Sequence, residues 1–205
     1  MHIIGASGHA KVIVDILKLN SLSISGVWDD NKKLTSFLGY TINGDTHTYN
    51  HSNRGAVIIA IGNNKIRSQI AARVNGPYGI AVHPKSVVSS TVTLNEGTVV
   101  MPNATINADC KIGRHVIINT NASVDHECEI GDFVHISPQA ALAGNVSVAE
   151  GTQIGIGACV LQGLKIGKWA TIGAGTVIIK DVPDYAVVVG NPGRIINSIP
   201  YKNEK

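Results

Sequence analysis

The sequence predicts a small parallel α/β unit over residues 1–81, a solenoid of short parallel strands over 82–182 and a C-terminal cap over 183–205. Three observations predict this. An aliphatic residue falls at every sixth position without a slip from Val82 to Ile178, seventeen in succession. That period is neither the 3.6 of an amphipathic helix nor the alternation of a free strand, and the stretch is rich in Val, Ile, Thr and Gly, which disfavour helix. Before it, short apolar runs alternate with helical spacing, the pattern of strands crossing over through helices.

Taken in order, His2 to Ile4 read as a short first strand; either that strand is short or the natural start lies upstream. Gly5-Ala6-Ser7-Gly8-His9 is a glycine-rich turn, and residues 10–19 carry Val12, Ile13, Ile16, Leu17 and Leu19 at helical spacing. A second strand over 25–28 ends in Asp29-Asp30, and an apolar third strand over 56–61 runs into Gly62-Asn63-Asn64 and a helix over 65–74. In a parallel sheet, ligands collect at the carboxyl ends of the strands, where these three loops would converge. The first turn is read either as a phosphate cradle at a helix N-terminus or as a ligand-free tight turn. Asp29-Asp30 are read either as acceptors for ribose or base N–H groups or as solvated turn acids.

In the repeats, each six-residue unit forms one flat side of a coil, with its aliphatic side chain stacked on those of neighbouring coils. The position two before each aliphatic is small (Ala104, Cys110, Ala122, Cys128, Ala140, Ala158, Ala170), as a narrow tube requires. The position just after it is often Gly (Gly113, Gly131, Gly155, Gly167, Gly173) or Asn, the expected site of positive φ at each corner. Seventeen units give five to six coils of eighteen residues, a prism roughly 25 to 30 Å tall at about 4.8 Å per coil. Beyond Ile178 the period stops, and the segment containing Val189-Gly190-Asn191-Pro192 is expected to cover the open edge.

A net charge of +3, scattered basic residues and 4% aromatics argue against nucleic-acid binding. No eighteen-residue apolar run and no signal-like N-terminus occur, so a soluble cytoplasmic protein with no membrane partner is expected. Cys110 and Cys128, eighteen residues apart, would stack on adjacent coils and are expected as reduced core residues.

One corner stands out: Asp125-His126-Glu127-Cys128-Glu129 concentrates an imidazole and three carboxylates. His126 should project outward, and is read either as a general base oriented by Glu127 or as an ordinary surface histidine. Gly144, eighteen residues on, stacks beside it, and its N–H could serve as an oxyanion donor. His135 lies nine residues after His126, on another side of the coil, so the two can share a site only across a subunit boundary.

The tandem aliphatic-Gly pattern, together with Gly5-Ala6-Ser7-Gly8-His9-Ala10-Lys11, Asp29-Asp30, Gly62-Asn63-Asn64-x-x-Arg67, His83-Pro84, Asp125-His126-Glu127-Cys128, Ala143-Gly144-Asn145 and Gly190-Asn191-Pro192, resembles the hexapeptide-repeat sugar acyltransferases. Within them it is similar to the N-acetyltransferases of UDP-linked 4-amino sugars in the bacillosamine pathway, to perosamine N-acetyltransferases and to sialic acid O-acetyltransferases. The resemblance implies a Rossmann-like domain, a left-handed parallel β-helix and a homotrimer with active sites between subunits. It implies acetyl-CoA as co-substrate, no metal, and an amino sugar linked to UDP, or to GDP, as acceptor for surface glycan or glycoprotein synthesis. His126 and Glu127 would be catalytic. Ser7, Gly8, His9, Asp29, Asp30, Gly62 and Asn119 would bind the nucleotide sugar, and His135, Gly144 and Ile156 acetyl-CoA. Ala174 departs from a second glycine after Gly173.

Three rivals are weighed. A sugar O-acetyltransferase would use the same base on a hydroxyl. A zinc enzyme resembling the γ-class carbonic anhydrases lacks its His-x4-His pair, since His115, His126 and His135 are eleven and nine residues apart. A non-catalytic nucleotide-binding trimer leaves His126-Glu127 and Gly144 without a role. Lys165, Lys168, Lys180 and Arg194 are read either as contacts for the CoA phosphates or as surface cations.

Overall fold

The computed structural model describes residues 1–52 and 55–198. The chain opens with β1 (His2–Ile4), α1 (Gly8–Leu19) and β2 (Gly26–Trp28), followed by the hairpin β3 (Ser36–Phe37) and β4 (Tyr40–Thr41). Then come α2 (Thr46–Ser52), β5 (Val57–Ile59) and α3 (Asn64–Ala71). The three parallel strands order as β2-β1-β5. All three are buried along their length because both faces are covered, which is why they read as unbroken apolar runs. Ile3 and Ile58 pack under α1, while Ile4 and Ile59 pack with Trp28, Tyr49 and Ile70 on the other face. The hairpin and α2 have no counterpart in the sequence reading. Within Thr46–Asn50 only Thr46 and Tyr49 are buried, so the helical apolar spacing that reveals α1 is absent.

From Ala81 the chain winds into a left-handed parallel β-helix of about six turns. Up to the last coil the rungs pair with the residues eighteen positions on, as Thr105 with Ser123, Lys111 with Glu129 and Ile117 with His135. Three sheets form the faces of a prism. The first carries Ala81–Val82 and its successors, the second runs from Val87–Val88 to Val177–Ile178, and the third from Thr93–Leu94 to Lys165–Ile166. The second residue of each rung joins one core column, and the small residues two before it are buried.

The corner chemistry differs from the sequence reading. Positive φ falls not just after the aliphatic residue but three positions after it, at Asn103, Asp109, His115, Asn121, Glu127, Phe133, Gln139 and Asn145. Gly113 and Gly131 answer a different need: a Cβ there would stand 2.7 Å from the backbone N of Asp132 and Glu150 in the next coil.

Nor does the solenoid stop where the period stops. Ile166 bridges Val182, and Thr171–Ile172 pairs parallel with Val187–Val188, so the last coil is two residues shorter than the others. Val182 and Val188 still enter the core column. The strand Ala186–Val189 then pairs antiparallel with Arg194–Ser198 and covers the edge. Residues 199–205 of the expected cap lie outside the described residues.

The two parts share a packed junction. The α1 side chains Ala10, Ile13, Val14 and Leu17 bury against Ala81, Val99, Met101 and Ile117 of the first face. Beside them the His115 ring stacks flat on Phe133, centroids 5.2 Å apart, and meets Tyr78 edge-on at 4.4 Å. Cys110 and Cys128 are free, buried thiols facing the carbonyls of Asp125 and Ala143.

Candidate active site

His126 sits on the corner between the second and third faces, after the rung Ser123–Val124. The next residue, Glu127, holds φ +58°, and its Oε2 lies 3.0 Å from His126 Nδ1. A carboxylate there takes the Nδ1–H and leaves the Nε2 lone pair free to accept a proton. The backbone is fixed as well. His126 N donates to Asp125 Oδ1 at 2.8 Å, the same oxygen accepts from Asn107 Nδ2 at 2.8 Å, and Asn145 N donates to His126 O at 2.8 Å.

The imidazole lies over Gly144, where a Cβ would stand 2.5 Å from Cε1 and 2.6 Å from Nε2. Glycine is therefore what lets the ring occupy this position. The Gly144 N–H has no acceptor among the described residues. Asp125, His126, Gly144, Asn145 and Gln162 line an open pocket of about 430 Å³. The His126 and Glu127 side chains are 56% and 64% exposed, so this imidazole faces solvent in the single chain.

A second group of predicted residues gathers at the junction. Gly5, with φ +104°, makes the turn after β1, and Ser7 is the N-cap of α1 with no side-chain capping bond. Gly8 and Gly62 have no steric need to be glycine: a Cβ on either would meet nothing within 4 Å. Both border open space, and Gly8 is the first residue of α1, at the end where a helix favours anions. Asp29 braces this turn, its Oδ2 accepting from Ala6 N at 2.7 Å and its Oδ1 from Asn31 N at 2.7 Å. Asp30 accepts from Thr46 N at 2.9 Å and lies 3.6 Å from Arg73 Nη2.

His9 and His135 face each other across the junction, ring centroids 6.5 Å apart. Asn119 Oδ1 accepts from Thr120 N at 2.8 Å, which turns Nδ2 toward His135 Nε2 at 2.9 Å. The His135 proton therefore belongs on Nδ1, with the Gly62 backbone beside the ring, and among the described residues His9 Nε2 has no hydrogen-bond partner. Burial, reinforced by the nearby Arg67 charge, lowers the His9 pKa to about 4 and that of His135 to about 3. Both rings are neutral near pH 7.

Within one subunit, then, Ser7, Gly8, His9, Gly62, Asn119 and His135 share the first-face side, and His126, Glu127 and Gly144 share the far edge of the second face. Ile156, 57% exposed, sits on the corner between the first and second faces. Lys180 and Arg194 line a hollow of about 370 Å³ beside the last coil. The reading of single residues did not single out Asn107 and Asp125, which fix the His126 backbone, or Arg67 and Asn64 at the junction. Asn107 carried one signal, its position eighteen residues before Asp125.

The PglD N-terminal domain family matches residues 1–74. PerB from Caulobacter crescentus, solved with CoA and GDP-perosamine, is 36% identical over 96% of both chains, with a TM-score of 0.89. The chain belongs to the hexapeptide-repeat sugar N-acetyltransferases. It is therefore an acyltransferase. The acetyltransferase domain of PglB from Neisseria gonorrhoeae, solved with acetyl coenzyme A, is 36% identical over 95% of this chain and 98% of its own, TM-score 0.88. WeeI from Acinetobacter baumannii is 30% identical over 95% and 98%, TM-score 0.85. No curated protein sequence matches. Among the described residues no group of three His, Cys, Asp or Glu side chains is arranged to hold a metal ion, and no helix is long and apolar enough to cross a membrane.

Proposed function

We propose that this acyltransferase moves the acetyl group of acetyl-CoA onto the amine of a UDP-linked 4-amino-4,6-dideoxy sugar. The observation that carries the proposal is the His126–Glu127 couple lying over the Gly144 amide. The amine attacks the thioester carbonyl while His126 Nε2 takes its proton, and Glu127 steadies the imidazolium. The oxyanion forms against the Gly144 N–H. Collapse of the tetrahedral intermediate breaks the C–S bond, and the imidazolium returns its proton to the CoA thiolate. The cradle of Ser7, Gly8 and Gly62 holds the nucleotide phosphates, with His9 beside them and Asp29-Asp30 toward the base. Asn119 faces the sugar, and His135 and Ile156 face the thioester side of acetyl-CoA.

The site is completed by a second subunit. The outward residues of the second face are Val87, Thr105, Ser123, Ala141, Cys159 and Val177, without a charge, whereas the third face shows Lys111, Glu129 and Lys165. The second face also lies between the His126 corner and the Ile156 corner. Closing three such faces round a threefold axis sets the His126 corner of one subunit against the nucleotide side of the next. A CoA donor suits the cytoplasm, and an acetylated nucleotide sugar suits glycan synthesis. A GDP-linked acceptor is the second reading, favoured by the 36% identity to PerB, which was solved with GDP-perosamine.

The test is CoA-thiol release with UDP- and GDP-linked 4-amino sugars and free sialic acid, for wild type and His126→Ala. Turnover of a nucleotide amino sugar, lost by about 10² or more in the variant, is expected. Turnover of sialic acid alone would replace the reading with O-acetylation, and acetyl-CoA binding without turnover would replace it with a binding role.

A further inference from the structure

Arg67 has no part in the chemistry above, yet it is the largest fully buried side chain of the described residues, 1% exposed. Its guanidinium makes five hydrogen bonds. Nε donates to His115 O at 2.9 Å, Nη1 to Ile61 O at 2.9 Å and Gly62 O at 3.2 Å, and Nη2 to Asn64 Oδ1 at 2.9 Å and Phe133 O at 2.8 Å. Among the described residues no carboxylate pairs with it. Burial lowers its pKa to about 9, so the group is a desolvated cation at neutral pH, and a buried charge is weak evidence of a role in stability.

The acceptors come from both sides of the junction. Ile61 and Gly62 belong to the loop that lines the nucleotide cradle. His115 and Phe133 are solenoid corners, and Phe133 precedes His135 by two residues. Asn64 extends the clamp, its Nδ2 donating to Gly151 O at 3.0 Å and Thr152 O at 3.2 Å. A planar fork satisfied by fixed carbonyls supplies geometry that a flexible ammonium cannot copy.

We propose that Arg67 is a positioning residue for acetyl transfer, locking the Gly62 side of the nucleotide cradle to the His135 edge of the solenoid and so setting where the sugar amine is presented. This rests on the N-acetyltransfer reading. When the clamp loosens the cradle shifts as a unit with its own contacts intact, so binding persists while the alignment of amine and thioester is lost, and a misplacement near 1 Å costs about 10²-fold in rate.

Arg67→Lys and Asn64→Ala test it, with kcat and both KM values measured on protein checked for its melting temperature and oligomeric state. Arg67→Lys is expected to lose about 10² in kcat with both KM values within about threefold, and Asn64→Ala, which keeps the Arg67 carbonyl contacts, about tenfold in kcat alone. If Arg67→Lys does not fold, Asn64→Ala decides. A folded variant with unchanged kcat, or one whose rate merely follows its folded fraction, overturns the inference while wild-type turnover keeps the functional reading. Absence of wild-type turnover overturns both.

Discussion

Replacing Gly144 by alanine adds one methyl group directly beneath the His126 ring. The added Cβ would stand 2.6 Å from Nε2 and 2.5 Å from Cε1. Ordinary van der Waals contact lies near 3.5 Å, so the ring must retreat by nearly an ångström. The three nearest atoms all belong to the His126 ring, a half-exposed side chain that can swing aside without moving the β-helix. The retreat opens the 3.0 Å bond to Glu127 and shifts Nε2 from the place that the proposed proton transfer requires. A displacement of that size corresponds to about a 10²-fold fall in kcat, with the melting temperature changed by no more than about 2 °C. CoA-thiol release and a thermal melt on the same preparation give both numbers. A Gly144→Ala enzyme with kcat within threefold of wild type would refute the placement of the base over this glycine.

The cradle glycines predict the opposite separation: a Cβ on Gly8 meets nothing within 4 Å and leaves room for a larger side chain, so with Gly8→Val the fold should hold while KM for the nucleotide sugar rises about tenfold or more. An unchanged KM would remove the phosphate assignment. His9, His115 and His135 have folded pKa values lowered by burial to about 4, 4 and 3. The unfolded chain binds their protons first, so stability is full above about pH 6.5 and falls as pH drops toward 4. The melting temperature should be flat from pH 7 to 8 and lower by on the order of 10 °C at pH 4.5; a flat profile would contradict the neutral junction. Cys110 and Cys128 are buried with raised pKa values, and Cys159 lies exposed on the second face of an isolated subunit. Native oligomer should therefore show fewer than one fast-reacting thiol per chain and dilute monomer one. A single fast thiol at every concentration would exclude the second face as the interface.

The solenoid was legible because its geometry repeats in the sequence: one inward aliphatic per face, from Val82 to Ile178. Its last coil was not, because a two-residue shortening puts Val182 in the place the period reserves for Asp184. Glycine just after the aliphatic residue was visible, but its reason was misread. Those positions need close approach between coils, while the left-handed corner falls three residues after the aliphatic, where Asn103, Asn121, Gly151 and Gly163 carry the compositional mark and Glu127 and Phe133 do not. His126 was legible as an imidazole with no packing reason to face outward, and Gly144 by its distance of one coil. Arg67 was not legible as a clamp, since its acceptors are mostly main-chain carbonyls as many as 66 residues away, and a carbonyl leaves no trace in side-chain identity. The helix α2 was hidden for a related reason: over Thr46–Asn50 its buried side chains are Thr46 and Tyr49, in an otherwise polar stretch with no helical apolar spacing.

The most direct test of a site shared between subunits is to mix two impaired variants, His126→Ala and Gly8→Val, by reversible dissociation and to measure CoA-thiol release from the mixed trimers at nucleotide-sugar concentrations well below the wild-type KM, where both parents are slow. If the base comes from one subunit and the nucleotide cradle from its neighbour, random assortment restores about a quarter of wild-type activity. If both belong to one subunit, every mixed site carries one defect or the other, and no activity returns.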